Sequence, residues 1–304
     1  MPDMKVTLGS LTLNNPVLAA SGTFGFGREY SSFFPLNMLG ALVAKGITLV
    51  PRAGSMPPRL RETPAGLLNS VGLQNPGLEN FIREELPFMK QAGVTVIANV
   101  AGETIEEYEA LVEGLLNASH TPAAVELNVS CPNVARGCFT FGADPESLYQ
   151  LVSRIKRSCP LPLIVKLTPN DIDITETARA AEAAGADILS LINTLKGMVI
   201  DTEKKKPFFQ REIAGLSGPA IRPVAVRMVW DTYKAVKIPI IGMGGIINCN
   251  DALQFIMAGA KAVAVGSGNF IDPLTIPRLV QDLRIYLETQ GYTSIAELCG
   301  IAHR

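Results

Sequence analysis

Eight short apolar runs recur along this chain, and stretches with helical periodicity separate most of them. Runs that are apolar on both faces are typical of parallel strands that helices cover on two sides. Gly93, Gly185 and Gly259 end helix candidates, where glycine suits a helix C-cap. This alternation predicts an α/β fold. The runs are 16–20, 41–44, 94–98, 123–127, 163–165, 188–192, 238–241 and 262–265, and the helix candidates include 105–116, 145–157, 175–184 and 251–258.

Eight such units in 304 residues suit a (β/α)8 barrel, whose usual size is ~250 residues before insertions. A doubly wound open sheet is the alternative, because periodicity does not reveal whether a sheet closes. The residues at the ends of the runs favour the barrel, since closure brings them around one mouth while an open sheet would scatter them. They are Ser21, Lys45, Gly46, Asn99, Asn128, Lys166, Asn193, Thr194, Gly244, Gly245, Gly266 and Ser267. We predict one (β/α)8 TIM barrel domain over 1–304, with long loop insertions at its C-terminal face.

The two longest connections, 48–91 and 195–237, account for those insertions. Long loops at a barrel mouth commonly form lids or binding walls. We therefore expect both segments to line the site.

Composition and charge exclude several functional classes. The net charge of -1 gives no whole-chain argument for nucleic acid. We find no secretion signal, and no apolar stretch reaches the ~18 residues of a membrane span. Five cysteines without a C-x-x-C pair argue against a disulfide framework, a zinc site or an iron–sulfur site in this chain. We expect a cytoplasmic protein with no metal site of its own.

The segment 128–133 reads Asn-Val-Ser-Cys-Pro-Asn and directly follows the apolar run 123–127. A thiol acts as a base or nucleophile once its proton is removable, and a loop at a strand end gives that access. The only histidines, His120 and His303, lie before this strand and in the tail. Cys131 is therefore the leading candidate for proton chemistry.

Glycine and lysine at the strand ends suggest an anionic ligand. Segments 242–245 and 266–268 follow the last two runs, where barrels often hold a phosphate, although both could be simple tight turns. Lys45 and Lys166 are embedded in apolar runs and could stabilise an electron-rich ring such as a reduced flavin. The alternative is that each lysine snorkels to the rim.

Four carboxamides could meet at the same mouth. An amide both donates and accepts hydrogen bonds, so a set of them suits a planar ring whose edge alternates C=O and N–H groups, as a pyrimidine does. Individually each is more often a turn residue, and only the set is informative. The four are Asn69, Asn128, Asn133 and Asn193.

Three segments together resemble class 1 dihydroorotate dehydrogenases, and the resemblance covers nearly the whole chain. They are 128–133, the block 62–77 (Glu-Thr-Pro-Ala-Gly-Leu-Leu-Asn-Ser-Val-Gly-Leu-Gln-Asn-Pro-Gly) and 240–245 (Ile-Ile-Gly-Met-Gly-Gly). Segments 20–27 and 191–197 look like the NAD-linked 1B type.

The resemblance implies an FMN-dependent barrel, with one FMN per chain, that oxidises (S)-dihydroorotate to orotate in UMP biosynthesis. By motif, the Cys131 thiolate would take the C5 proton while the C6 hydride passes to flavin N5. Lys166 would stabilise the reduced flavin, and Lys45 would lie between flavin and substrate. The remaining implied FMN residues are Ser21, Gly46, Asn99, Asn128, Ile192, Gly218, Gly244, Gly245, Gly266 and Ser267, and the implied substrate residues are Asn69, Ser70, Val71, Gly72, Leu73, Asn128, Asn133, Asn193 and Thr194.

The resemblance also implies a partner, because 1B enzymes work with a subunit that carries FAD and a [2Fe–2S] cluster and reduces NAD+. The expected assembly is a homodimeric core within a heterotetramer. Cys138 departs from the family pattern, which has glycine there. Two alternatives stay open: a fumarate-dependent homodimer of the 1A type, and a non-catalytic barrel that binds a phosphorylated ligand.

Overall fold

A computed structural model describes residues 1–129, 141–170 and 173–304. The strands, in chain order, are β1 (Val6–Leu8), β2 (Leu11–Leu13), β3 (Val17–Ala19), β4 (Ala41–Val43), β5 (Leu60–Thr63), β6 (Gly66–Asn69), β7 (Val96–Val100), β8 (Ala124–Asn128), β9 (Leu163–Lys166), β10 (Ile188–Leu191), β11 (Leu195–Gly197), β12 (Ile200–Asp201), β13 (Lys206–Pro207), β14 (Ala214–Ser217), β15 (Ile240–Met243) and β16 (Ala262–Val265). The helices are α1 (Gly77–Asn80), α2 (Leu86–Gln91), α3 (Ile105–Leu116), α4 (Pro145–Ser158), α5 (Ile174–Ala183), α6 (Arg222–Ala235), α7 (Cys249–Met257), α8 (Gly268–Ile271) and α9 (Thr275–Gln290), and a π-helical turn, Phe81–Glu85, joins α1 to α2.

Eight parallel strands close into a barrel in chain order. Hydrogen bonding runs β3, β4, β7, β8, β9, β10, β15, β16 and back to β3. The prediction of a (β/α)8 barrel is confirmed, and the open-sheet alternative is wrong. The strands suit a sheet covered on both faces: β3, β4 and β16 consist entirely of buried apolar residues, which leaves neither face for water.

The element boundaries match the sequence expectation to within two or three residues. Helix α3 has the predicted bounds 105–116, and α4 ends one residue beyond the predicted 157. Gly93, Gly185 and Gly259 have φ of 73°, 97° and 118°, the left-handed conformation that a helix-ending glycine supplies. Within the described ranges, no helix combines the length and the apolar character that a bilayer crossing requires.

The two long insertions pair with each other, which the sequence did not reveal. Strands β5 and β6 come from the first insertion and β11 and β14 from the second, and they form one antiparallel sheet in the order β11-β14-β6-β5. Asn69 is in register with Gly215, and Leu68 with Leu216. Leu68, Phe209 and Ala214 form a small apolar cluster under this sheet. We call these four strands the insertion sheet.

A buried asparagine fixes the chain that follows β6. The side-chain oxygen of Asn75 accepts hydrogen bonds from the backbone N–H of Thr48 at 3.2 Å and of Gly77 at 2.9 Å. Its amide nitrogen donates to the carbonyl of Leu73 at 2.7 Å. Asn75 therefore connects Leu73, at the end of segment 69–73, to Thr48 in the loop that follows the barrel strand β4.

Gly66 sits where the two halves of the insertion sheet meet, and replacing it tests this pairing. A β-carbon on Gly66 would overlap the carbonyl oxygen of Ser217, which is fixed in the backbone of β14. We expect Gly66→Ala to lower the free energy of unfolding by about 2 kcal/mol, as overpacking does, and to lower the midpoint of thermal unfolding. Circular dichroism during heating measures this. Ala65→Ser, a change at the exposed neighbour, is the control and should unfold like the parent; an unchanged midpoint for Gly66→Ala would contradict the pairing.

Candidate active site

The carboxyl ends of the barrel strands carry the residues predicted from sequence. Each barrel strand contributes at least one of them at this end, so one opening collects residues that are far apart in the chain. In strand order they are Ser21 beyond β3, Lys45 and Gly46 beyond β4, Asn99 in β7, Asn128 in β8, Lys166 in β9, Ile192, Asn193 and Thr194 beyond β10, Gly244 and Gly245 beyond β15, and Gly266 and Ser267 beyond β16.

A buried carboxylate lies beneath this opening. Glu126 in β8 is 1% exposed, and its two oxygens accept hydrogen bonds from Asn99 Nδ2 at 2.6 Å and from Ser190 Oγ at 2.7 Å. The three residues belong to β7, β8 and β10, so the bonds cross the barrel interior. Sequence reasoning missed Glu126 and Ser190. The available signal was a glutamate inside an otherwise apolar strand, because a buried charge requires partners.

The two lysines occupy different positions at the opening. Lys166 ends β9, is 5% exposed and is in register with Asn128 on one side and Ser190 on the other. Because residues in register on parallel strands face the same side of the sheet, Lys166 points into the barrel with them. The snorkelling alternative is therefore wrong for Lys166. Lys45 is half-buried, and its ammonium lies 3.8 Å from the position that a β-carbon on Gly22 would occupy.

The carboxamides form two neighbouring groups. In the first, Asn193 Nδ2 lies 3.5 Å from Asn128 Oδ1, and the hydroxyl of Tyr108 donates to the Asn128 carbonyl at 2.9 Å. In the second, Asn69 donates to the carbonyl of Gly215 at 3.1 Å. A β-carbon on Gly215 would lie 2.9 Å from the β-carbon of Thr194 and 3.2 Å from Asn69 Nδ2.

Gly46 lies where the predicted cofactor and substrate residues meet. A β-carbon there would lie 2.7 Å from Asn99 Oδ1, 3.5 Å from Leu73 Cδ2 and 3.8 Å from Asn128 Nδ2. Leu73 belongs to the segment 69–73, in which Ser70 donates its backbone N–H to the Arg59 carbonyl and the Val71 carbonyl accepts from Ser55. The insertion sheet and the barrel therefore share this opening.

Three glycines from two loops pack closely at the opening. Gly244 and Gly245 have φ of 135° and 73°, and Gly218 has φ of 96°. A β-carbon on Gly244 would lie 2.8 Å from Ala225, and one on Gly245 would lie 2.6 Å from the Gly218 carbonyl oxygen. These close approaches require glycine. Gly266, directly beyond the next strand, β16, has nothing within 4 Å of its β-carbon position, so open space lies in front of it.

The described residues fit the FMN that the sequence resemblance implies. Open space at Gly266 beside the glycine loop suits a phosphate that approaches backbone N–H groups. Asn99 Oδ1 is fully buried yet has no hydrogen-bond partner, so it is an acceptor that a donor on a bound molecule can satisfy. Among the described residues, no group of three or more His, Cys, Asp or Glu could hold a metal ion.

Cys131, Ser130 and Asn133 lie outside the described residues, and so does Cys138. Their sequence-based roles therefore stay predictions. Asn128 and Val129 are the last described residues before them, which places the start of that segment at the end of β8.

Comparison with known proteins identifies relatives along the whole chain. A family model described as dihydroorotate dehydrogenase matches residues 3–287. A protein of Desulforamulus reducens is 52% identical over 301 residues, 99% of each chain, and one of Carboxydothermus hydrogenoformans is 52% identical over 302 residues, 99% of this chain and 98% of the relative. A third, of Geotalea uraniireducens, is 48% identical over 299 residues, 98% of each chain. All three are named "Dihydroorotate dehydrogenase B (NAD(+)), catalytic subunit".

The three described cysteines, Cys159, Cys249 and Cys299, are poor candidates for a catalytic base. Burial, together with the negative charge of Asp282, raises the pKa of Cys249 to about 11. Burial also raises the pKa of Cys159 and of Cys299. Because only the thiolate is strongly nucleophilic, these three thiols stay protonated and inert near neutral pH.

The rate of alkylation tests the raised pKa of the Cys249 thiol. A thiol with a pKa of about 11 is roughly a hundredfold less ionised at pH 8 than a free cysteine, so Cys249 should react with iodoacetamide roughly a hundredfold more slowly. Raising the pH from 8 to 10 should accelerate the reaction, because the thiolate fraction rises until the pH reaches the pKa. Peptide mass spectrometry measures the labelling, with protein in denaturant as the control. Labelling of Cys249 at the free-thiol rate in folded protein at pH 8 would refute the assignment.

Proposed function

The chain belongs to the dihydroorotate dehydrogenase family, and from that premise we propose that it is the catalytic subunit of an NAD-dependent dihydroorotate dehydrogenase. It oxidises (S)-dihydroorotate to orotate in de novo pyrimidine biosynthesis. The observation that carries the proposal is the 52% identity, over 99% of both chains, to a relative whose name states this activity. The polar residues at the barrel opening support the proposal.

The proposed cofactor is one FMN per chain. When bound, FMN accepts the hydride that leaves C6 of the substrate. The unpartnered Asn99 oxygen and the open space at Gly266 support its binding here. Lys166, held inside the barrel, offers a positive charge to the electron-rich ring. The residues that hold FMN are Ser21, Lys45, Gly46, Asn99, Asn128, Lys166, Ile192, Gly218, Gly244, Gly245, Gly266 and Ser267.

The substrate is held between the insertion sheet and the barrel. Amide groups pair with the alternating C=O and N–H groups of the dihydropyrimidine ring, and Lys45 balances the negative charge of its carboxylate. The 3.5 Å contact between Asn128 and Asn193 supports a shared binding face. The substrate residues are Lys45, Asn69, Ser70, Val71, Gly72, Leu73, Asn128, Asn133, Asn193 and Thr194.

Cys131 is the proposed base. Its thiolate removes the proton from C5, and the electrons of that C–H bond form the ring double bond as the hydride leaves C6. A free cysteine has a pKa of ~8.5, and nearby ammonium groups lower the pKa of a thiol. The position of Cys131 in the chain, directly beyond the strand that carries Asn128, supports this role, since Asn128 is in register with Lys166.

The proposed partner is a subunit with FAD and a [2Fe–2S] cluster, which passes electrons to NAD+. The relatives are named catalytic subunits, which implies a second kind of subunit in those proteins. A homodimeric core within a heterotetramer is the proposed assembly, with residues 1–304 as one catalytic domain. We place the enzyme in the cytoplasm, whose reducing conditions suit the free thiols of Cys159, Cys249 and Cys299.

The visible spectrum before and after substrate tests the proposed function. The purified chain should show flavin absorbance, and (S)-dihydroorotate added without air should bleach it, because reduction removes the oxidised flavin band. Orotate is the control and should leave the absorbance in place. A protein that stays colourless after incubation with FMN would support the non-catalytic barrel instead, and rapid turnover of the isolated chain with fumarate would support the 1A type.

Replacing the base should separate proton removal from cofactor binding. We expect Cys131→Ser to slow anaerobic flavin reduction at neutral pH by at least about a hundredfold, because a hydroxyl is a far weaker base, while FMN stays bound. Stopped-flow absorbance measures the rate. Cys249→Ser is the matched control, since that thiol is protonated at this pH. Reduction of Cys131→Ser at the parent rate would remove Cys131 from the mechanism.

A further inference from the structure

Glu126 is a buried acid that the proposed mechanism does not use. It is 1% exposed and stands inside the barrel, two residues before Asn128 at the end of β8. Its neighbour in register on β9 is Ile164, an apolar residue. Burying a carboxylate costs several kcal/mol unless hydrogen bonds compensate, and an apolar side chain would fill the same layer without that cost. A role beyond packing therefore accounts for the acid.

The hydrogen bonds of Glu126 fix which way the Asn99 amide faces. An ionised carboxylate only accepts hydrogen bonds, whereas a carboxamide has one accepting and one donating end. The Asn99 side chain lies 2.6 Å from Glu126 Oε1, so the end of the amide that faces the carboxylate must be its NH2 group. The Ser190 hydroxyl, at 2.7 Å, occupies the other carboxylate oxygen and prevents the group from turning away.

The consequence is that the Asn99 oxygen points away from Glu126, toward Gly46. Asn99 Oδ1 is buried and makes no hydrogen bond to the described protein. It lies 2.7 Å from the position of the β-carbon that Gly46 lacks, with Asn128 Nδ2 3.8 Å from the same point. A buried acceptor without a partner is costly, and a donor on a ligand would remove that cost.

We propose that Glu126 is a positioning residue that locks Asn99 as a hydrogen-bond acceptor toward the bound cofactor. The inference rests on the proposed FMN site. The ligand group that Asn99 receives is a donor, an N–H or a hydroxyl of FMN. A freely turning amide would present its donor end part of the time and bind that group more weakly.

Exchanging the amide and the carboxylate between positions 99 and 126 tests the positioning role of Glu126. Asn99→Asp alone places two carboxyl groups at the 2.6 Å contact, where they can share one proton as long as one of them stays protonated. At a pH high enough to ionise both, the pair is repulsive, and FMN affinity should fall at least about tenfold, the effect of one lost hydrogen bond. The double variant Asn99→Asp with Glu126→Gln reverses the bond, because the amide introduced at position 126 donates to the carboxylate introduced at position 99. That carboxylate still offers an acceptor to the opening, and the oxygen of the new amide still accepts from Ser190. Affinity should recover to within about threefold of the parent.

A third variant tests whether Glu126 contributes only to packing. Glu126→Leu keeps a similar volume and leaves Asn99 free to turn, so FMN affinity should fall about tenfold. The matched control is Asp187→Asn, the same loss of charge at the opposite end of the barrel, where Asp187 accepts from Lys156 and from the Leu163 N–H. Its FMN affinity should equal that of the parent.

Titration of the apoprotein with FMN, followed by quenching of flavin fluorescence, gives each dissociation constant without an activity assay. Circular dichroism confirms that each variant is folded, and the exchange variant stays decisive if Glu126→Leu fails to fold. The inference is overturned if the double variant binds no more tightly than Asn99→Asp at the pH at which both carboxyl groups of the single variant are ionised, or if folded Glu126→Leu binds like the parent. Failure of the parent itself to bind FMN would instead refute the proposed function.

Discussion

Closure of the parallel barrel determines where the strand-end residues, the buried acid and the insertion sheet lie. Because β16 pairs with β3 as well as with β15, the eight carboxyl ends surround one opening. Asn99, Asn128 and Lys166 then stand on three consecutive strands and face the same interior. In an open sheet the same residues would line one edge and could not enclose a ring-shaped ligand. The proposed oxidation requires that enclosure, since base, substrate and cofactor must be stacked without intervening water.

The price of this arrangement is polar groups within the barrel. Glu126 and Lys166 bring opposite charges into a largely apolar interior, and both are at most 5% exposed. The carboxylate is tolerated because two donors from different strands satisfy it. Such a network also orients its members. The orientation of Asn99 thus follows from the charge of its neighbour, and the chemistry of the opening is determined one layer below it.

The insertions extend the barrel into a site with two walls. One wall is the barrel opening, and the other is the insertion sheet, whose strands come from segments about 150 positions apart in the chain. Glycines make their junction possible: Gly66 and Gly218 meet where β6 begins against the end of β14, and Gly218 also contacts Gly245 at the end of β15. A side chain at any of the three would separate the walls. The insertion sheet and the glycine loop beyond β15 are thereby in direct contact.

The order and type of the elements could be predicted from the sequence, because hydrophobic periodicity and a glycine at a helix end are properties of each segment alone. It also named the residues at the strand ends, and the motif in 128–133 indicated the family. The folded structure was needed to show that the strands close, that the two insertions share a sheet, and that Glu126 connects Asn99 to Ser190. These features depend on pairs of residues such as Leu68 and Leu216, or Glu126 and Ser190, that are distant in the chain. No local sequence pattern indicates which distant residue will hydrogen-bond to a buried acid. The sequence analysis therefore included Glu126 in an apolar strand without assigning it a role.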